Sequence, residues 1–142
     1  MTVTLDTDCM RYIALFESST GAVVRDCVVD SENDRLIFVI KQGEMGLAIG
    51  KGGENINRVR DMIDKKIEVV EYSDDVCEFI CNSFQPVPIK SVKIVEKKKK
   101  QLAYVEVLKK DKGLLIGKNG RNIQKAKLLA SRHHNIDDIL VI

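Results

Sequence analysis

The sequence predicts an α+β fold built twice, two small modules in tandem, each a three-stranded sheet with helices packed on one face. Three observations predict it. The pattern Ile-Gly-Lys-x-Gly-x-Asn-Ile occupies residues 49–56 and recurs at residues 116–123. The likeness extends outward: Gly46 and Leu47 match Gly113 and Leu114, while Val59 and Ile63 match Ala126 and Ala130. Around each copy, strand-like and helix-like apolar patterns follow in the same order. Such a recurrence within 142 residues argues for two copies of one unit rather than one fold with two similar loops. The expected division is residues 1–72 and 73–142, each near the lower size limit for an independent core.

In the first half, Thr4 or Asp6 is placed to cap a helix carrying Met10, Ile13, Ala14 and Phe16, which stops at Thr20-Gly21. Residues 22–29 are rich in valine and read as a strand. The polar run 30–34 turns the chain into a second strand, 36–40, making a hairpin. A short helix follows at 45–49, then the glycine turn, a longer helix at about 55–64 and a strand at 67–72. The second half repeats this order. Ser73 is expected to cap a helix with Asp74 and Asp75 in its first turn, ending near Asn82. Pro86 and Pro88 mark the connection. Strands at 92–96 and 102–108 are joined across Lys97, Lys98, Lys99 and Lys100. Asp111 is placed to cap a short helix ending at Ile116. Residues 122–133 form the longer helix and 136–142 the last strand. Ser73 alone separates the halves, so the sequence predicts a nearly fixed angle between them, with no flexible linker.

The apolar periodicity halts at Ile49 and resumes at Ile56, so the glycines lie in a sharp turn between two helices. Glycine permits positive φ and close approach of another backbone. The second helix begins with unpaired amides, which attract anions. Each copy also sets a lysine between its glycines. That combination suits phosphate without a deep pocket. A nucleoside-triphosphate loop is excluded, because Gly46 and Gly50 enclose three residues instead of four and no hydroxyl follows Lys51 or Lys118. The dinucleotide fingerprint G-x-G-x-x-G is absent as well.

Composition narrows the classes further. Net charge is +2, but residues 1–72 carry 9 Lys+Arg against 13 Asp+Glu, and residues 73–142 carry 14 against 8. A polyanion would therefore be attracted chiefly by the second half. Cys9 and Cys27 lie in a helical and a strand pattern. Cys77 and Cys81 share one helix face, where they read as packed thiols. No metal site is expected, since the only histidines, His133 and His134, are adjacent. Adjacent histidines at a helix end are explained by the dipole there, and no nucleophile, base and orienter group together, so no catalytic residues and no cofactor are expected. There is no signal peptide and no run of 18 apolar residues, so a reducing cytoplasm and no membrane partner are expected.

Gly50-Lys51-Gly52-Gly53 and Gly117-Lys118-Asn119-Gly120, each preceded by isoleucine and followed three residues on by isoleucine, resemble the G-x-x-G loop of KH domains. The leading helix and strand resemble the prokaryotic, type II form. Two type II KH modules directly abutted resemble the KH region of the NusA family of transcription termination/antitermination factors, best its short archaeal form. That resemblance implies binding of single-stranded RNA along a continuous surface, and RNA polymerase as a partner. It implies phosphate contact at Gly50, Lys51, Gly52, Gly53, Gly117, Lys118, Asn119 and Gly120. Arg58, Arg121 and Lys125 are expected as outer contacts. Leu47, Ile49, Leu114 and Ile116 read as ordinary core, with the floor of an RNA groove as the alternative. Arg121 stands where the first copy has Glu54, and Glu44 lies near the first turn, so the second turn should hold phosphate more tightly. The run of lysines at 97–100 reads either as a solvated turn or as an outlying RNA contact. Two other functions stay open: a ribosome- or RNA-maturation-associated KH protein, and a KH-fold protein–protein adaptor.

Overall fold

The computed structural model describes residues 7–142, so the candidate caps Thr4 and Asp6 lie outside the described residues. Compact packing divides the chain after Ser73, and the two units, residues 7–73 and 74–142, are described in turn.

The first unit runs α1 (Thr7–Thr20), β1 (Val24–Asp30), β2 (Arg35–Ile40), α2 (Met45–Ile49), a 3-10 turn (Lys51–Gly53), α3 (Glu54–Met62) and β3 (Lys66–Glu71). β2 is central, antiparallel to β1 and parallel to β3. Its apolar run is buried at every position, as expected of a strand covered on both faces. Leu36, Phe38 and Ile40 join Phe16, Ala48, Ile56, Val59 and Ile67 in the core, which puts the helices on one face. The Phe16 and Phe38 rings lie 4.5 Å apart between centroids. Cys9 and Cys27 are buried, and the Cys9 thiol donates to the Cys27 carbonyl at 3.3 Å.

Arg35, which the apolar pattern leaves outside its strand, opens β2 fully buried. Its Nε donates to Asp30 Oδ2 at 2.7 Å and its NH1 to Glu68 Oε2 at 2.9 Å, tying the ends of all three strands. Burial raises the Asp30 pKa, but hydrogen bonds from Asn33 and Arg35 outweigh it and hold the carboxyl below its usual value.

The second unit runs α4 (Val76–Phe84), β4 (Ser91–Lys97), β5 (Lys100–Glu106), a 3-10 turn (Lys109–Asp111), α5 (Lys112–Ile116), a second 3-10 turn (Lys118–Gly120), α6 (Arg121–His134) and β6 (Asp138–Val141). β5 is central, antiparallel to β4 and parallel to β6, so the topology of the first sheet is repeated. Ile80, Phe84, Ala103, Val105, Leu115, Ala126, Ala130 and Ile139 form its core.

Three local expectations change. Asp75 rather than Ser73 caps α4, its Oδ1 accepting from the Glu78 amide at 3.0 Å. The helix starts at Val76, so only Asp75 occupies the capping place and Glu78 is the acid of the first turn. Asp111 stands before α5 but makes no capping bond, because a 3-10 turn already leads into the helix. The β4–β5 hairpin is also tighter than the charge run suggests. Lys97 pairs with Lys100, leaving a two-residue turn of Lys98 and Lys99.

Burial pushes the Cys77 and Cys81 thiols upward in pKa, and neighbouring acidic charge adds to the effect. Both are half-buried on α4. His133 and His134 close α6 with their rings 5.6 and 5.2 Å from that of Phe79.

Candidate nucleic-acid interface

Both glycine turns are built by the same bonds. α2 closes with the Gly50 amide donating to the Gly46 carbonyl at 2.8 Å, and α5 with Gly117 donating to Gly113 at 3.0 Å. The chain then reverses, with Gly53 donating to the Gly50 carbonyl and Gly120 to that of Gly117, each at 3.1 Å. These bonds do not use the N–H groups of Lys51, Gly52, Lys118 or Asn119.

Gly50 and Gly117 have φ of 77° and 82° with extended ψ, a region that glycine alone enters readily. A Cβ on either would lie 2.8 Å from the Cγ of the asparagine five residues on, and as close to that residue's backbone nitrogen. The first glycine of each turn is thus required by its neighbour. At the third position of the turn, Gly52 and Asn119 have nearly the same conformation, φ 64° and 58°. Asparagine tolerates this left-handed region, so the one mismatch between the two turns is conformationally neutral.

The repeated asparagine is the residue that pattern reading did not assign. Asn55 Nδ2 donates to the Leu47 carbonyl at 2.7 Å, and Asn122 Nδ2 to the Leu114 carbonyl at 2.9 Å. Each satisfies a carbonyl in the last turn of the short helix, where no intrahelical partner exists. The asparagine therefore clamps the short helix to the start of the longer one and sets the shape of the turn. Its only sequence signal was its presence in both copies.

Lys51, Gly52, Lys118 and Asn119 are exposed, and Gly53 and Gly120 lead into α3 and α6 in the left-handed conformation. Leu47, Ile49, Leu114 and Ile116 correct the expectation of core: they are 50, 37, 66 and 38 % exposed. Helices of five residues bury one position each, Ala48 and Leu115, and leave the rest of their apolar surface beside the turn. At the second turn an open groove of about 570 Å³ is lined by Gly113, Leu114, Gly117, Lys118, Arg121 and Asn122. An apolar strip thus borders a backbone loop flanked by cations, which suits a base against the strip and a phosphate against the loop.

The outer cations divide. Arg121 lines the groove and opens α6, where a helix dipole favours negative charge and no acid stands in the first turn. A phosphate there would reverse that unfavourable placement. Arg58 is engaged elsewhere, its NH1 donating at 2.7 Å to the Ser19 carbonyl near the end of α1, with Glu54 at 3.5 Å. Lys125 holds the matching place in α6 and is buried, which corrects its expected role as an outer contact. Glu44 is tied down as well, accepting from the Val23 amide at 2.8 Å.

Comparison with known proteins agrees with this geometry. Residues 10–100 match the KH domain family, and residues 76–139 match the NusA-like second KH domain. The probable transcription termination protein NusA of Halococcus morrhuae is 41 % identical over 139 residues, 98 % of each chain. The protein of the same description from Methanococcus vannielii is 38 % identical over 142 residues, all of this chain and 81 % of its own. The crystal structure of APE1850 superposes with a TM-score of 0.87 at 38 % identity, covering 97 % of this chain and 100 % of its own. With two glycine turns of one geometry on two sheets of one topology, the chain belongs to the NusA-like family of tandem KH-domain proteins.

Proposed function

We propose that this protein binds single-stranded RNA through its two glycine turns and acts on nascent transcripts as a transcription termination/antitermination factor. The observation that carries this reading is the duplicated turn. Each places a lysine and an exposed stretch of turn backbone at the start of a helix, beside an exposed apolar strip. KH loops of this kind clamp about four backbone nucleotides while unstacked bases lie along the groove. Gly50, Gly53, Gly117 and Gly120 allow the sugar-phosphate chain to approach, and Lys51, Lys118 and Arg121 supply charge. Three tyrosines and four phenylalanines are few, so base recognition at the turns depends on aliphatic packing and hydrogen bonds. The transcriptional role follows the relatives described as transcription termination proteins, and RNA polymerase is the expected protein partner. No described helix is long and apolar enough to cross a membrane. Action on nascent RNA places the protein in the cytoplasm, and the reading assigns it no catalytic step.

The test replaces Lys51-Gly52 with Asp-Asp, Lys118-Asn119 with Asp-Asp, or both pairs. The bounding glycines are kept. Gly52 and Asn119 share one left-handed conformation, which aspartate enters much as asparagine does, so both replacements should stay folded, and a thermal melt accompanies each titration. Affinity for a fluorescent RNA of eight to twelve nucleotides should fall in each variant, more at the second turn, and nearly vanish in the double variant. A folded double variant that binds at full strength would make the turns structural and favour the adaptor reading. Crosslinking in cells separates the RNA classes: nascent transcripts support the transcriptional role, whereas ribosomal RNA alone would replace it with ribosome or maturation work.

A further inference from the structure

The second sheet has one face in the core and one in solvent. Val92, Ile94, Ala103, Val105 and Ile139 point to the core. The alternation of the pleat puts their neighbours on the other face. There the register sets Lys93 beside Tyr104, Val95 beside Leu102 and Lys97 beside Lys100. Tyr104 is flanked on its other side by Leu140, which is 37 % exposed. The central strand of the first sheet, by contrast, is buried at all positions.

The hairpin at the end of this face is unusual. Lys98 and Lys99 form its two-residue turn with φ of 53° and 64°. Such a turn needs positive φ at both positions and is normally filled by Asn-Gly or Asp-Gly. Lysine at both carries backbone strain in an exposed loop that nothing else constrains to be charged. What these residues contribute, with Lys97 and Lys100 beside them, is charge. Asp138, the acid at the start of the adjoining strand, is held by Lys127 of α6 at 3.1 Å.

We propose that the open face of the second sheet and its lysine hairpin form a second contact surface for single-stranded RNA, apart from the glycine turns. The proposal rests on the RNA-binding reading above and extends it to longer strands. Lysine is depleted in the cores of protein–protein interfaces and enriched where phosphates are neutralised. On this face the apolar residues Val95, Leu102, Tyr104 and Leu140 are few and are rimmed by Lys93 on the edge strand and by Lys97 and Lys100 at the hairpin, a small apolar surface bordered by positive charge. Tyr104 offers a π-face on which any base can stack, with Lys93 alongside for the phosphate.

The decisive variant is Lys98→Asn with Lys99→Gly in the full chain. It removes two charges and installs the residues the turn prefers, so the melting temperature should rise. Binding of an eight-nucleotide RNA should stay within about twofold. Binding of a twenty-four-nucleotide unstructured RNA should weaken about tenfold, and its salt slope should fall by about 1.4, the equivalent of two phosphates. Tyr104→Leu keeps the bulk of the side chain and should weaken the long RNA alone. Ultraviolet crosslinking should attach that RNA at Tyr104. Unchanged long-RNA affinity and slope in the hairpin variant would overturn the second surface while leaving the glycine turns intact. If the wild-type chain bound neither RNA, the RNA reading itself would fail and this one with it. If the variant kept RNA binding but lost affinity for a poly-glutamate peptide, the face would be a protein dock and the assignment to RNA wrong.

Discussion

Gly50 and Gly52 stand two residues apart with opposite tolerances. Both have positive φ, but a Cβ on Gly50 meets Asn55 at 2.8 Å, whereas one on Gly52 meets nothing within 4 Å. Gly50→Ala should therefore lower stability by more than the roughly 1–3 kcal/mol of backbone strain, because the Asn55 clamp must also move. Gly52→Asn copies Asn119 and should leave the melting temperature unchanged or slightly raised, since asparagine has fewer unfolded conformations to lose. Thermal melts of the two variants, with the matching Gly117→Ala, test this. Equal losses at Gly50 and Gly52 would show that positive φ, and not the asparagine contact, governs the turn.

The two turns share a backbone but differ in charge. α3 begins with Glu54, paired to Arg58 at 3.5 Å, whereas α6 begins with Arg121 in the groove. A carboxylate at the start of α3 suits the helix dipole and competes with phosphate there, while Arg121 adds to Lys118. Reversing Lys118 and Arg121 to glutamate should weaken binding of a short RNA more than reversing Lys51. It should also lower the salt slope by about 0.7 for each phosphate that is no longer neutralised. Titrations at four salt concentrations measure both quantities. A larger effect at Lys51 would refute the asymmetry.

Two sites on one chain gain from being joined. The first unit ends its sheet at Glu71 and the second begins its helix at Val76, so little chain intervenes. Once one turn holds a strand, the other meets it at high effective concentration, provided the strand spans both. An RNA of about twelve nucleotides exceeds twice the four-nucleotide footprint and should bind far more tightly than a four-nucleotide RNA. The gain should collapse to the affinity of one site when either turn carries the Asp-Asp replacement. A twelve-nucleotide RNA that bound no better than the short one would mean that the turns act separately.

The fold class, the duplication, the element order and the two G-x-x-G turns were legible in the sequence, because each rests on local chemistry. Periodicity reports which faces are buried, and glycine beside a helix start reports a turn. Other features depended on distant partners that periodicity does not report. Arg35 breaks the apolar pattern yet opens a buried strand, since Asp30 and Glu68 meet it from neighbouring strands. Lys125 is charged and was expected outside, but its face of α6 packs inward. Leu47, Ile49, Leu114 and Ile116 are apolar and were expected inside, but helices this short bury only one side chain each. The asparagine clamp lies between these cases. Repetition showed that Asn55 and Asn122 matter, but only the folded turn brings each amide within 3 Å of its carbonyl. A hydrogen bond eight residues away leaves no trace in composition or periodicity, because it is made by the path of the backbone between the two residues.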